Sequence, residues 1–270
     1  MYLDFFGLNE PPFNNTPAPR FLYPARGHAA ALRHLVYGVE HRRGFILLTG
    51  DIGSGKTTLC RALLEQLRGR CRTALILNPA LSESQLLRAI VHELGLKPPR
   101  GDRLALREAL TACLLEEAAA GRDVVLIIDE AQHLNCRLLE QIRLLSNLET
   151  DDRKLLQIVL AGQPELADRL ADPRLRQLRQ RVTVRFHLGP IGADETEAYI
   201  RHRIHVAGGN GRPGFAPEAV RDIHENARGL PRLLNALCDM SLLAAFGRGE
   251  ECVGIEHVRD GVEELKGCLT

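Results

Sequence analysis

The chain has 270 residues, 45% of them hydrophobic, which is enough for one large core or for a core domain with a smaller companion. Lys and Arg number 35 against 34 Asp and Glu, a formal net charge of +1, so the balance marks neither a nucleic-acid binder nor a membrane-surface protein as a whole. The start, Met1-Tyr2-Leu3-Asp4, lacks the basic and apolar pattern of a signal peptide, and no apolar run reaches the roughly 18 residues needed to span a bilayer, so a soluble cytoplasmic chain is expected.

Residues 1–26 are rich in Pro, Phe and Asn and read as an irregular arm anchored by Phe5, Phe6, Phe13, Phe21 and Tyr23. A helix is predicted from His28 to about His41, with Ala31, Leu32, Leu35, Val36 and Val39 on one face. Strands and helices then alternate. Phe45–Leu48 reads as a strand, Lys56–Leu67 as a helix, and Thr73–Leu77 as a second strand. Ser82 opens a helix to about Leu94, with Gln85 at the capping-box position. Arg103–Ala120 is helical, Val124–Ile128 is an apolar β-branched strand, and Asn135–Leu148 is helical. Leu155–Leu160 and Val182–Phe186 complete the strands, the latter after an arginine-rich helix. Strands apolar on both faces and separated by helices imply a doubly wound α/β domain with a parallel sheet between helical layers, covering residues 1–190. Beyond it only helices are predicted, at Asp194–Val206, Pro217–Ala227, Pro231–Phe246 and Ile255–Leu265, giving a small all-helical second domain over 191–270. Cys60, Cys71, Cys113, Cys136, Cys238, Cys252 and Cys268 form no C-x-x-C pair, so free, mostly buried thiols in a reducing compartment are expected.

The chemistry starts at Gly50-Asp51-Ile52-Gly53-Ser54-Gly55-Lys56-Thr57, which fits G-x-x-x-x-G-K-[ST] at every fixed position and lies between a predicted strand and a predicted helix. Glycines let backbone N–H groups converge on phosphate oxygens, and the helix start adds partial positive charge. Lys56 supplies a point charge for the β- and γ-phosphates, and Thr57 a hydroxyl for Mg²⁺; Thr58 ends the candidate ATP-binding set. The strand Val124–Ile128 ends in Asp129 and Glu130, where parallel sheets bind ligands. Asp129 then suits the Mg²⁺ shell, and Glu130 suits polarising an attacking water as general base.

Asn78 closes the second strand and is either a restraint on Glu130 or a turn residue before Pro79. Gln163 either orients water near the γ-phosphate or forms a turn before Pro164. Arg174, Arg176, Arg179 and Arg181 cluster before Val182 and offer either a transition-state arginine for a neighbouring subunit, or a solvated helix face, or a patch for nucleic acid or acidic protein. Arg232 opens a helix, an electrostatically poor place for a cation, which favours a role in sensing phosphate over an incidental one.

With Phe5-Phe6-Gly7-Leu8, Pro12-Phe13, Ile127-Ile128-Asp129-Glu130-Ala131-Gln132, Leu144-Leu145-Ser146-Asn147-Leu148-Glu149-Thr150, Ala161-Gly162-Gln163-Pro164-Glu165-Leu166, Leu178-Arg179-Gln180-Arg181 and Gly229-Leu230-Pro231-Arg232-Leu233-Leu234-Asn235, the pattern resembles the AAA+ ATPases of the secretion-pathway A type (ExeA/GspA). They share a wider class with the target-selecting ATPases of certain transposons. The resemblance implies Walker A residues at Lys56 and Thr57, Walker B residues at Asp129 and Glu130, sensors at Gln163 and Arg232, an arginine finger at Arg181 or else Arg179, and a glutamate switch at Asn78. It implies a helical lid, a homo-oligomeric ring, often hexameric, and a protein partner in an envelope secretion or pilus assembly at the inner face of the inner membrane. The alternative is DNA binding of the transposon target-selection type. Full-length members continue into a membrane helix and a periplasmic domain; neither is visible here, as expected of a shortened chain or of the shorter relatives at pilus and exosortase loci.

Overall fold

The computed structural model describes residues 2–77, 79, 81–99, 102–149 and 153–267. In chain order the elements are α1 (Tyr2–Phe6), α2 (Arg26–Glu40), β1 (Phe45–Gly50), α3 (Lys56–Leu67), β2 (Cys71–Ile76), α4 (Glu83–Glu93), α5 (Arg103–Ala119), β3 (Asp123–Ile128), α6 (Cys136–Leu145), β4 (Leu156–Gly162), α7 (Glu165–Leu170), α8 (Arg176–Arg181) and β5 (Val182–Leu188). They continue as α9 (Ala193–Val206), β6 (Gly214–Phe215), α10 (Pro217–Ala227), α11 (Pro231–Arg248), β7 (Cys252–Val253) and α12 (Ile255–Gly267). The chain divides into two compact units. A sheet unit holds Ala30–Ile52 and Leu59–Leu188, and a helical unit holds the residues up to Ala29, Gly53–Thr58, and those from Gly189 onward.

The sheet unit is built on five parallel strands in the order β2-β3-β4-β1-β5. β1 and β4 are buried along their whole length, and β3 from Val124 on, as strands covered on both faces must be. The edge strand β5 departs from that expectation. It exposes Thr183, Arg185 and His187 in alternation and packs its other face on α2, where His34 meets Phe186 edge-on. Gly38 lets α2 approach β1, since a Cβ there would lie 2.5 Å from Ile46 Cδ1. Opposite, Leu86, Ile90, Leu106, Leu110 and Leu114 of α4 and α5 join Leu126, Ile128 and Leu156 in one core. Each such buried side chain contributes about 1.5–3 kcal/mol. The capping box of α4 is formed: the Ser82 hydroxyl accepts from the Gln85 N–H and the Gln85 side chain from the Ser82 N–H. Asp102 and Asn135 cap α5 and α6. Register sets Thr49 beside Gly162 and Ile128 beside Leu160, so the carboxyl ends of β1, β4 and β3 share one end of the sheet.

The helical unit has its own core, in which Ile200 and Ile204 of α9, Ile223 of α10, Leu234, Leu237 and Leu242 of α11 and Val258 of α12 meet Phe6, Leu8, Phe13 and Phe21. Three expectations are corrected here. The N-terminal arm is grouped with these helices rather than with the sheet, because its aromatics fill this core. It is also not wholly irregular, since it opens with α1. The second unit is not all-helical, because β6 and β7 pair in parallel over two residues each, too short for any periodicity to show in sequence. Arg203 fastens the arm. Buried on α9, it donates to the carbonyls of Pro12 and Asn14 and to the Tyr199 hydroxyl, and lies over the Phe21 ring.

Cys60, Cys113 and Cys238 are buried free thiols, Cys71 and Cys136 are half-buried, and Cys252 is exposed; Cys268 lies outside the described residues. Among the described residues no helix is long and apolar enough to cross a membrane.

Candidate functional site

The phosphate-type loop leaves β1 at Gly50 and enters α3 at Lys56, the strand–loop–helix order its motif requires. Gly53 and Gly55 have φ of +79° and +98°, values that favour glycine. Two groups of the helical unit hold the loop. The Arg232 N–H donates to the Gly53 carbonyl at 3.1 Å, and a Cβ on Gly53 would lie 2.6 Å from Arg232 Cβ. His28 Nε2 lies 2.9 Å from the Ser54 carbonyl; a carbonyl only accepts, so the proton is on Nε2. Burial pushes the His28 pKa below the ordinary histidine value, which keeps the ring neutral. In a trans peptide the carbonyl and the next N–H point opposite ways. The N–H groups of Ser54 and Gly55 are therefore turned away from Arg232 and His28. The Ser54 hydroxyl oxygen is buried without a hydrogen-bonding partner among the described residues, and Lys56 is 6% exposed. Amide donors, a spare hydroxyl, an ammonium group and the start of a helix form a donor set that suits phosphate oxygens. Asp51 and Ile52 are exposed, whereas Thr57 and Thr58 are half-buried.

In the sheet unit, Asp129 follows β3 and is 1% exposed, with its N–H donating to the Ile76 carbonyl. Its Oδ1 accepts the Glu130 N–H at 2.9 Å. Glu130 has φ of +51°, a left-handed conformation that costs a non-glycine residue of order 1 kcal/mol. Such strain is characteristic of positions that must aim a side chain. The Glu130 carboxylate accepts from Gln132 Nε2 at 2.5 Å, and Gln132 Oε1 accepts the Gln163 N–H at 3.1 Å. The structure thus links Glu130 to Gln163 through Gln132. By sequence Gln132 stands only within the stretch Ile127–Gln132, with no role of its own; its one signal is its place after Asp129-Glu130-Ala131. Gln163 also starts the turn into α7, where its carbonyl accepts the Leu166 N–H, so the turn and the position at a strand end coexist. Asn78 lies outside the described residues.

The arginines are not equivalent. Arg174 is paired with Asp172, whose carboxyl is held down at about 2 by that guanidinium. Arg181 is half-buried and donates to the Ser146 hydroxyl at 2.8 Å; that hydroxyl in turn donates to the Arg143 carbonyl. Arg179 is exposed. Arg232 exposes its side chain while its backbone and Cβ rest on Gly53.

A family model described as an AAA domain matches residues 39–170. General secretion pathway protein A of Aeromonas hydrophila is 50% identical over 99% of the chain, which spans 49% of that protein. Among solved structures, the Aeropyrum pernix ORC2 protein in ADPNP-ADP complexes matches with a TM-score of 0.72 at 18% identity, over 95% of this chain and 72% of that one. Cdc6p from Pyrobaculum aerophilum gives 0.70 at 19% identity, over 94% and 70%. A mutant of Thermotoga maritima RuvB gives 0.59 at 18% identity, over 88% and 70%. At such identities these structures show the fold alone, and they agree with the parallel sheet and the strand–loop–helix motif. The AAA domain match and this fold together show an AAA+ P-loop protein, and along nearly its whole length the chain is similar to the secretion-pathway A type.

Proposed function

We propose that this chain binds ATP with Mg²⁺ and hydrolyses it, coupling nucleotide-dependent self-association to the assembly of an envelope secretion or pilus system. The observation that carries the reading is the loop itself. Its Gly53 and Ser54 carbonyls are held by Arg232 and His28, which turns the following N–H groups the other way, beside a spare Ser54 hydroxyl and a buried Lys56. In this reading Gly50, Asp51, Ile52, Gly53, Ser54, Gly55, Lys56, Thr57 and Thr58 cradle the phosphates, with Lys56 neutralising charge. Thr57 and Asp129 are hard oxygen donors that fit Mg²⁺, which supplies charge stabilisation to the transferred phosphoryl group when bound. Glu130 takes the proton of the attacking water, Gln163 orients that water, and Asn78 restrains Glu130. Arg232 senses the phosphate. The Aeropyrum pernix ORC2 protein in ADPNP-ADP complexes supports the choice of adenine nucleotide.

An arginine supplied by a second copy completes the reading. Arg179, exposed, and Arg181, tethered to Ser146, are the two candidates. The chain spans about half of its secretion-pathway relative, so the protein partner is proposed from that relative's name alone.

The test combines nucleotide affinity, phosphate release and sedimentation. Lys56→Ala is expected to lose ATP binding. Glu130→Gln is expected to bind ATP, to lose turnover by about 10²-fold or more, and to sediment as a larger species with ATP. An unchanged rate in Glu130→Gln would overturn the assignment of the base. Hydrolysis that depends on duplex DNA, with steeply salt-dependent DNA binding, would favour the target-selection reading instead.

A further inference from the structure

We propose that Gln132 is a positioning residue that ties the Glu130 carboxylate to the end of β4. This inference rests on the reading of Glu130 as the base, and it adds a residue that neither motif nor family match assigns.

At φ of +51° the Glu130 Cα–Cβ bond leaves the backbone in a direction that neither a regular strand nor a regular helix would give it. Asp129 Oδ1 fixes the Glu130 N–H, but the carboxylate lies at the end of further rotatable bonds and needs a separate hold. Gln132 supplies it. Its side-chain N–H donates to Glu130 Oε2 at 2.5 Å.

The second half of the Gln132 amide shows where it is anchored. Its oxygen accepts the Gln163 N–H, a backbone group at the end of a buried strand. An amide is the side-chain group that donates and accepts from one planar head, so the bond to Gln163 fixes which atom faces Glu130. Gln132 is itself buried. Gly162 makes the link possible, because a Cβ there would stand 2.7 Å from Gln132 Oε1 and 3.2 Å from its backbone nitrogen. The result is a rigid bridge from the β4 end, through one amide, to the carboxylate. A shift of the Gly162–Gln163 backbone therefore moves Glu130.

The test uses two substitutions of similar size. Gln132→Met removes both bonds while conserving volume. Gln132→Glu keeps an acceptor for the Gln163 N–H but sets a carboxylate against Glu130. Each is compared with the unaltered chain in kcat, KM, affinity for a non-hydrolysable ATP analogue, and amide exchange at Gln163. Both are expected to lose about 10-fold or more in kcat with KM and analogue affinity changed less than about two-fold, the signature of an interaction that matters only in the transition state. Exchange of the Gln163 amide is expected to quicken in Gln132→Met and to stay slow in Gln132→Glu. With Glu130→Gln already present, Gln132→Met is expected to change the residual rate less than about two-fold, because the two residues act as a unit.

An unchanged kcat in a folded Gln132→Met variant would overturn the proposal. So would rate losses that multiply in the double variant, since Gln132 would then act independently of Glu130. A Glu130→Gln rate equal to that of the unaltered chain would instead remove the parent reading and this one with it.

Discussion

A single methyl group separates the glycines that shape the site from those that only turn the chain. Gly53 combines a left-handed φ with a Cβ position 2.6 Å from Arg232 Cβ, so Gly53→Ala is expected to push Arg232 off the loop. ATP affinity should drop by about 10-fold or more in a fluorescent-analogue titration, a cost of roughly 1.4 kcal/mol. Gly162→Ala meets Gln132 Oε1 and Leu166 Cδ2 at 2.7 and 2.9 Å, and is expected to destabilise the chain by about 1–3 kcal/mol in urea unfolding. His28 carries a pH dependence of definite sign. Burial lowers its folded pKa, so below the ordinary histidine value near 6.5 the unfolded chain binds the extra proton first. Its contribution is full above about pH 6.5 and is lost as pH falls through that value towards the lowered folded pKa. His202, also lowered by burial, acts in the same direction. Unfolding curves between pH 5 and 8 should show this acid loss shrinking in His28→Gln, which keeps an N–H donor for Ser54 without a titrating ring. The glycine–lysine loop and the carboxylate pair were legible because their chemistry dictates residue type and spacing. Gln132 was not, because a glutamine carries no charge pattern and the Gln163 N–H that anchors it lies far away in sequence.

At the scale of elements, local rules and packing divide the work. The capping box at Ser82 and the span of α3 follow from sequence because each rests on near neighbours in the chain, and the Asp102 cap of α5, seen in the structure, is equally local. Asp102→Ala removes the acceptor of the Leu104 and Ala105 N–H groups and is expected to cost about 1 kcal/mol in thermal or urea unfolding. The arm is different. Its aromatics announce burial but not the core they enter, and only the fold reveals that Arg203 donates to the carbonyls of Pro12 and Asn14. Arg203→Ala strands those acceptors and empties the space over Phe21, which should destabilise the helical unit by about 2–4 kcal/mol. Limited trypsin digestion should then cut at Arg20 or Arg26 faster than in the unaltered chain.

For the whole molecule, the decisive expectation concerns association. Arg179 is exposed and Arg181 is held by Ser146, so the two need not contribute alike. Mixing an Arg179→Ala variant, whose own loop is intact, with a Lys56→Ala variant, whose arginines are intact, should restore part of the turnover that each lacks alone. Absence of any recovery in phosphate release would mean that Arg179 does not act across copies. Periodicity, motif spacing and the residues at strand ends by themselves determined that the chain holds a parallel α/β sheet, a phosphate-type loop between strand and helix, and an acidic strand end, because each depends on residue type at short spacing. Only the tertiary structure decided that β1 lies between β4 and β5, that the N-terminal arm and Gly53–Thr58 are grouped with the C-terminal helices, and that Gln132 links Glu130 to Gln163. Those outcomes depend on contacts between distant segments, set by which buried faces and hydrogen-bonding groups satisfy one another once the chain is compact. The phosphate-type loop is written in consecutive residues; the hold on its backbone comes from His28 and Arg232, which only folding brings to it.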